Sequence, residues 1–376
     1  MKNILEIIVL YIYINVYSFQ IISIDYMQLS NSYNIQYRID QLSNRHEYAA
    51  IDLSFDYTLL VIPNFTPYYT YIRKNILLLN ETRNILEYES KLELSESQLQ
   101  LDLPVNIIDN IDDSKKYVES KIGLSYKYDD ERFSIVHSLK QERIISHLSF
   151  AFNRVFSSTS SKPQMYFGGI PQIVKNNYKY KASFKVNESH KEWGINLLNV
   201  RIGNESFNFD YNNTFYSYLN TKDSIIKAPL SFMKFLNESI FNELYKQRKC
   251  SYRYGRTHSI DCFMREIDTF PTITFHFDGY LFSFNIYSLF NVVERGEFGL
   301  FLIQSNEYND YQWVFGNMLF ENYLTEFDYE THLITFYSSF PFKRDNNVVY
   351  TILLVNIIIL FVMNIYSIII KMNKFN

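Results

Sequence analysis

The chain has 376 residues, with 36 Lys and Arg against 40 Asp and Glu, and it carries 33 Tyr and 32 Phe but only 10 Gly and 8 Pro. That length can bury a sizeable core in one large two-lobed unit or two ordinary domains. The near balance of charge, with no long run of one sign, excludes a nucleic-acid arm or an acidic tail, and the aromatic and β-branched richness favours strands.

Residues 1–20, "MKNILEIIVLYIYINVYSFQ", place Lys2 before an apolar core from Ile7 to Val16, the pattern of a secretory signal peptide, with an uncleaved anchor as the alternative. Short runs rich in Val, Ile, Tyr and Phe then recur about every ten residues between Asn, Asp and Ser clusters, which is the rhythm of an all-β protein. They include "YNIQYRI", "TLLVIP", "KLELSESQLQLDL", "YKYKASFKV", "GINLLNVRI", "FPTITFHFDGYLFSFNI" and "LITFYSS". Helical spacing occurs in "SIVHSLKQERII" and more clearly in "APLSFMKFLNESIFNELYKQ", where Pro229 suits a first turn. Cys250 and Cys262, the only cysteines, read as one local disulfide in an exported chain, the alternative being two buried thiols. The seven histidines are scattered, none forms a His-x-x-x-His pair, and neither a metal nor another cofactor is expected. Six sequons, at Asn64, Asn80, Asn187, Asn204, Asn212 and Asn237, suit an exported, glycosylated surface. Finally, Val348 to Ile370 contains no charged residue and spans roughly 34 Å as a helix, enough for one membrane crossing. A buried helix and a GPI signal are the competing readings, and 371–376 would form a short cytosolic tail.

Three stretches resemble the pepsin-type aspartic proteases. "MYFGGIPQIVKNNYKYKASFKVNESHKEWGINLLNVRIGN" (Met165 to Asn204) is similar to that family's lobe junction, and "CFMREIDTFPTITFHFDGYLFSFNIYSLF" (Cys262 to Phe290) follows its order of cysteine, Phe-Pro turn and Asp278-Gly279. "WVFGNMLFENYLTEFDYETHLITFY" (Trp313 to Tyr337) is similar to its C-terminal signature nearly position by position, and "KIGLSY" (Lys121 to Tyr126) resembles its Gly-Leu turn. The resemblance covers about residues 33–340. It implies an all-β, bilobal double β-barrel with a few short helices, an N-terminal lobe over 21–172 and a C-terminal lobe over 173–342, followed by the single transmembrane helix at 348–370.

In such enzymes each lobe supplies one aspartate from an Asp-Thr/Ser-Gly loop. Two close carboxylates share a proton, so that one activates water while the other donates to the substrate carbonyl. Counting back nine residues from Pro63 puts Ser54 at the first aspartate position and Asp56 at its glycine; counting back nine from Pro229 puts Asn220 at the second, with Thr221 and Lys222 after it. Both carboxylates are then missing. As substitutes, Asp52 needs a two-residue insertion, Asp56 a two-residue deletion and Asp223 a three-residue deletion, and none precedes the expected glycine. The substrate-covering flap of the family matches "LEYESKLELSESQLQL", with Tyr88 at the tyrosine position and no glycine hinge, and only about a dozen residues stand where a prosegment would.

The expectation is a membrane-anchored, exported aspartic-protease homologue, monomeric and without peptidase activity, that binds peptide or protein between its lobes. One alternative is an active aspartic-type endopeptidase using Asp56 and Asp223; a second is a structural surface glycoprotein. No serine-hydrolase elbow, phosphate loop, dinucleotide fingerprint or His-Glu-x-x-His is present.

Overall fold

The computed structural model describes residues 20–23, 25–27, 32–39, 47–54, 56, 58–61, 72–78, 81–94, 99–108, 121–129, 131, 134–153, 163–207, 215–222, 225–253, 259–266, 270–284, 289–293, 298–305 and 312–344. The expected signal core, the tail and the expected span at 348–370 lie outside these residues. Among the described residues no helix is long and apolar enough to cross a membrane.

Among the described residues strands dominate, in four sheets, and the helices are few and short. A six-stranded sheet runs in the order Gln20–Ser23, Gln164–Phe167, Ser149–Asn153, Leu324–Asp328, Leu333–Ser338, Tyr180–Lys185. Its middle pair joins the two halves of the chain, with Phe150 opposite Phe327 and their rings stacked 4.7 Å apart. The outermost strand corrects the expected spacing at the N-terminus. Among the described residues the first strand is Gln20–Ser23, followed by Asp25–Met27, which pairs with Ser32–Ile39. The dozen residues read as a spacer are therefore largely strand.

Two larger sheets repeat one pattern. In the first half the order is Ser32–Ile39, Glu47–Asp52, Lys121–Gly123, Leu59–Val61, Leu99–Ile108; in the second it is Gly194–Ile202, Phe215–Leu219, Gln312–Phe315, Ile226–Ala228, Ile303–Ser305. The matching pairs share direction. Glu47–Asp52 runs parallel to Lys121–Gly123 as Phe215–Leu219 does to Gln312–Phe315, and the strand after each loop returns antiparallel. Parallel neighbours cannot be joined by a tight hairpin, so each loop leaves one strand and crosses before re-entering the sheet. The loops carrying Asp52 and Asn220 thus hold equivalent topological positions.

The Ile273–Phe277 and Tyr280–Phe284 strands meet at Asp278-Gly279, both with positive φ (29° and 81°), the backbone that a two-residue Asp-Gly hairpin requires. The long helical pattern forms as expected from Leu230 after the Pro229 cap, but widens into a π turn at Asn237–Phe241 before Asn242–Lys246. Helix Ile135–Gln141 also forms, with Ser134 accepting from the His137 amide as N-cap. Two short helices lay outside the sequence reading. Gln172–Lys175 is a single turn, and Asn317–Asn322 buries Asn317 to Phe320 on every side, so no amphipathic period marks it.

Cys250 and Cys262 form a disulfide directly across the Cys250–Arg253 and Ser259–Phe263 strands. The core is unusually aromatic. Trp193 packs at 4.8–5.8 Å against Tyr126, Phe150, Phe327 and Tyr329, so residues from both halves close around one indole.

Candidate functional site

Asp52 ends its strand, and its side chain turns back on its own loop. Oδ1 accepts from the Ser54 amide at 3.1 Å and from the Ser54 hydroxyl at 2.7 Å. Asn220 repeats the arrangement: its Oδ1 accepts from the Lys222 amide, two residues on, at 2.8 Å. Each backbone is also tied to its parallel neighbour, Asp52 accepting through its carbonyl from the Leu124 amide and Asn220 donating through its amide to the Phe315 carbonyl, both at 2.9 Å. Asp52 and Asn220, then, are the residues that the repeated topology relates.

This differs from the count back from proline. Ser54, the residue assigned to the first aspartate position, is exposed and stands two residues beyond Asp52, where the loop glycine is expected; Asp56 lies further on. The reason is loop length. Eleven residues separate Asp52 from Pro63 and nine separate Asn220 from Pro229, so a fixed count lands two residues late in the first half. Strand pairing, with Asp52 opposite Gly123, sets the register regardless of the length beyond it.

The halves are joined at the loops by Thr221, fully buried, whose hydroxyl donates to the Ile51 carbonyl just before Asp52. Its counterpart in the first loop is Leu53, buried and apolar, so the reciprocal bond has no donor and the clasp is one-sided. Behind Asp52, Trp193 Nε1 donates to the Leu124 carbonyl at 2.7 Å and Tyr329 donates to the Ser125 carbonyl at 2.9 Å. Large, fixed side chains from the second half therefore support the segment against which Asp52 is registered.

The charges are the unexpected feature. Asp52 is 1% exposed, yet its Oδ2 lies 2.8 Å from Lys222 Nζ and 3.5 Å from Lys121 Nζ. Burial alone would raise its pKa. The two ammonium groups, with hydrogen bonds from Lys222 and Ser54, reverse this and hold it below the ordinary carboxylate value. Burial pushes Lys121 down to about 8, opposed by Asp52 and reinforced by the charge of Lys222. The arrangement contains one ionised, ion-paired carboxylate and one amide. An amide neither ionises nor takes up a proton at this range, so the pair cannot divide the roles of base and acid. Lys121 was not assigned a role from the sequence, although it stands two residues before Gly123 in the Gly-Leu turn stretch.

The other expected residues lie elsewhere or outside the described set. Asp56 faces Lys191 at 3.4 Å, beside the Lys191–Asp129 contact of 2.6 Å, and burial raises its pKa against the pull of Lys191. It joins neither Asp52 nor Asn220. Asp223, Asn64, Asn80 and Asn212 lie outside the described residues. Tyr88 sits inside strand Glu81–Leu94, opposite Val105 and six residues from its end, rather than at a hairpin tip. That strand also pairs with Ile72–Leu78, so a second hairpin precedes the one read as the flap. Of the remaining sequons, Asn204 is exposed at a hairpin turn. Asn187 is half-buried and donates to Asn196 at 3.1 Å, and Asn237, also half-buried, accepts from the Tyr245 hydroxyl at 3.4 Å.

A family model described as eukaryotic aspartyl protease matches residues 117–338, more than half of the chain; the match includes the Asn220 loop and begins after the Asp52 loop. No curated protein matches the chain.

Proposed function

The chain belongs to the eukaryotic aspartyl protease family, and from this premise we propose that it is a member without peptidase activity, anchored in a membrane and using its inter-lobe cleft to bind extended peptide or protein segments. One observation carries the reading: at the two equivalent loop positions stand Asp52 and Asn220, and the single carboxylate is already ion-paired with Lys222. Hydrolysis by paired acids needs one carboxyl protonated and one ionised within reach of the same water. Asn220 supplies neither form, and Lys222 favours the ionised form of Asp52. In this reading Asp52, and not Ser54, is the counterpart of the first aspartate. Ser54 and Lys222 stand at the glycine positions.

Peptide binding along a cleft rests on main-chain hydrogen bonds and side-chain pockets, neither of which needs a catalytic pair. The anchor is the charge-free stretch Val348–Ile370, and the sequons suit exported lobes at the cell surface or in the secretory pathway. The alternative that uses Asp56 and Asp223 is weakened by the engagement of Asp56 with Lys191.

The decisive experiment exposes the purified full chain to an unbiased peptide library at acid pH. No cleavage is expected, while photo-crosslinkable peptides are captured equally by the wild type and by Asp52→Asn. Cleavage that a statine-type transition-state mimic blocks and Asp52→Asn abolishes would refute the reading. Resistance of the chain to extraction by alkaline carbonate tests the anchor separately.

A further inference from the structure

One cation would balance the buried carboxylate of Asp52, yet two meet it at the same oxygen. Lys222 Nζ lies 2.8 Å and Lys121 Nζ 3.5 Å from Oδ2, while Oδ1 accepts from Ser54. The two nitrogens are therefore no more than about 6.3 Å apart. Like charges this close repel, and burial together with the charge of Lys222 pushes Lys121 down in spite of Asp52. The cluster also has an inside and an outside. Asp52 is sealed in, whereas the side chains of Lys121 and Lys222 are 18% and 31% exposed, so the lysines are what a ligand can touch. Both are held in place by the backbone around them. Lys121 is registered opposite Ala50 in its strand, and the Lys222 amide is held by Asn220 Oδ1 beside the Thr221 bond to Ile51. One lysine comes from each half of the chain, so the pair exists only where the halves meet.

An ammonium carries three N–H donors and binds a buried carboxylate and further acceptors at once, and a carboxylate has two oxygens, enough to accept from two ammonium groups. An anion placed over the pair would gain charge-assisted hydrogen bonds and relieve the repulsion between the lysines. A cationic group at the same place would meet two like charges, so the arrangement discriminates by sign. Because the lysines are already positioned, little ordering is left for the ligand to drive. An extended peptide lying across the two loops carries carboxylates on its Asp and Glu side chains and at its C-terminus. We propose that Lys121 and Lys222 form a carboxylate-binding pocket, so that the place of the catalytic pair selects peptide segments carrying an acidic group. The inference rests on the peptide-binding reading above and adds the charge of the ligand to it.

The test uses the purified full chain at neutral pH and low salt, with four pools of N-acetylated, photo-crosslinkable nonapeptides otherwise built from uncharged residues. Three pools have an amidated C-terminus and Glu, Gln or Lys at the centre; the fourth has central Gln and a free C-terminal carboxylate. Capture of the Glu pool or of the free-acid pool is expected to exceed that of the amidated Gln pool at least tenfold, and whichever does so identifies the side chain or the terminus as the source of the carboxylate. The Lys pool should be captured least. The preference should fall at least threefold in Lys121→Met, which keeps the Lys222 contact with Asp52, and persist in Lys181→Met, which removes an exposed lysine from another sheet. Folding of each variant is checked by urea denaturation, with Lys121→Gln as the substitute if Lys121→Met does not fold. Equal capture of all four pools would overturn the pocket and leave the peptide-binding reading standing. A preference that survives the Lys121 substitution and vanishes in Lys181→Met would also overturn it, because charge selection would then lie on the outer surface. Capture of no pool at all would overturn both.

Discussion

Replacing Lys222 by methionine removes the closest counter-charge of a carboxylate that is 1% exposed. At an effective dielectric of about 20, the gross attraction of Asp52 to an ammonium at 2.8 Å is roughly 6 kcal/mol and to one at 3.5 Å roughly 5 kcal/mol. Lys121 therefore retains a little under half of the attraction, and losing its repulsion from Lys222 offsets part of the damage. Removing one partner of a buried pair costs about 3–5 kcal/mol, and Lys222 is 31% exposed, so a loss of about 2–3 kcal/mol at neutral pH is expected. Urea denaturation followed through Trp193 and Trp313, both buried, reads it directly. The pH dependence has a definite sign. With its lowered pKa, Asp52 contributes stability that is fully present above the unfolded value near 3.8 and is lost as pH falls through the depressed folded value. In Lys222→Met the carboxyl regains the upward pull of burial, so the difference from wild type shrinks as acid protonates it. Adding Asp52→Asn removes the stranded charge and recovers most of the loss at neutral pH. A Lys222→Met protein within about 0.5 kcal/mol of wild type at neutral pH, or an unchanged loss with Asp52→Asn present, would refute the account of this site as a buried ion pair.

Four further outcomes follow from the geometry. His147 has Nε2 3.1 Å from Asp328 and Nδ1 2.8 Å from Glu330, and the bond with Asp328, against burial, raises its pKa. Its contribution is complete below about pH 6.5 and disappears as pH rises through the raised folded value, so the melting-temperature gap between wild type and His147→Gln should be widest in mild acid and close at alkaline pH. Asp328, which burial would raise but His147 and Thr331 hold at about 2, contributes above pH 3.8 and fades towards pH 2; Asp328→Asn should flatten that acid limb of the melting curve. Replacing Cys250 and Cys262 together by serine releases a 12-residue loop and should cost about 3 kcal/mol in denaturant titration without altering the secondary structure seen by circular dichroism. Trp193→Phe strands the Leu124 carbonyl and leaves space beside four rings, for a loss of about 2–3 kcal/mol in the same titration.

Much of the architecture was legible because its signals are local. Alternating strand runs such as "GINLLNVRI" and "LITFYSS" formed strands at Gly194–Ile202 and Leu333–Ser338, and Asp278-Gly279 formed the turn its conformational freedom suits. The count back from Pro229 lands on Asn220, whereas the count back from Pro63 lands two residues beyond Asp52, the residue that the repeated strand order makes its equivalent; the longer first loop leaves composition and pattern almost unchanged. Helix Asn317–Asn322 escaped for another reason: its first four residues are all buried and only Glu321 and Asn322 are exposed, so the short run shows no period.

By itself the sequence determined the strand-rich class, the family resemblance and the absence of a carboxylate at position 220, since these depend on residue identity and short-range spacing; it left the cysteines as a disulfide or two thiols, and the structure joins them. Only the tertiary structure decided which residue is the topological counterpart of Asn220 and what surrounds it. Asp52 is registered by parallel pairing with Lys121–Gly123, roughly seventy residues away, and its charge is answered by Lys222 from the other half of the chain. Strand order and long-range ion pairs join residues that no local pattern connects, so the conversion of a loop acid into the buried half of a salt bridge appears only when the halves are brought together.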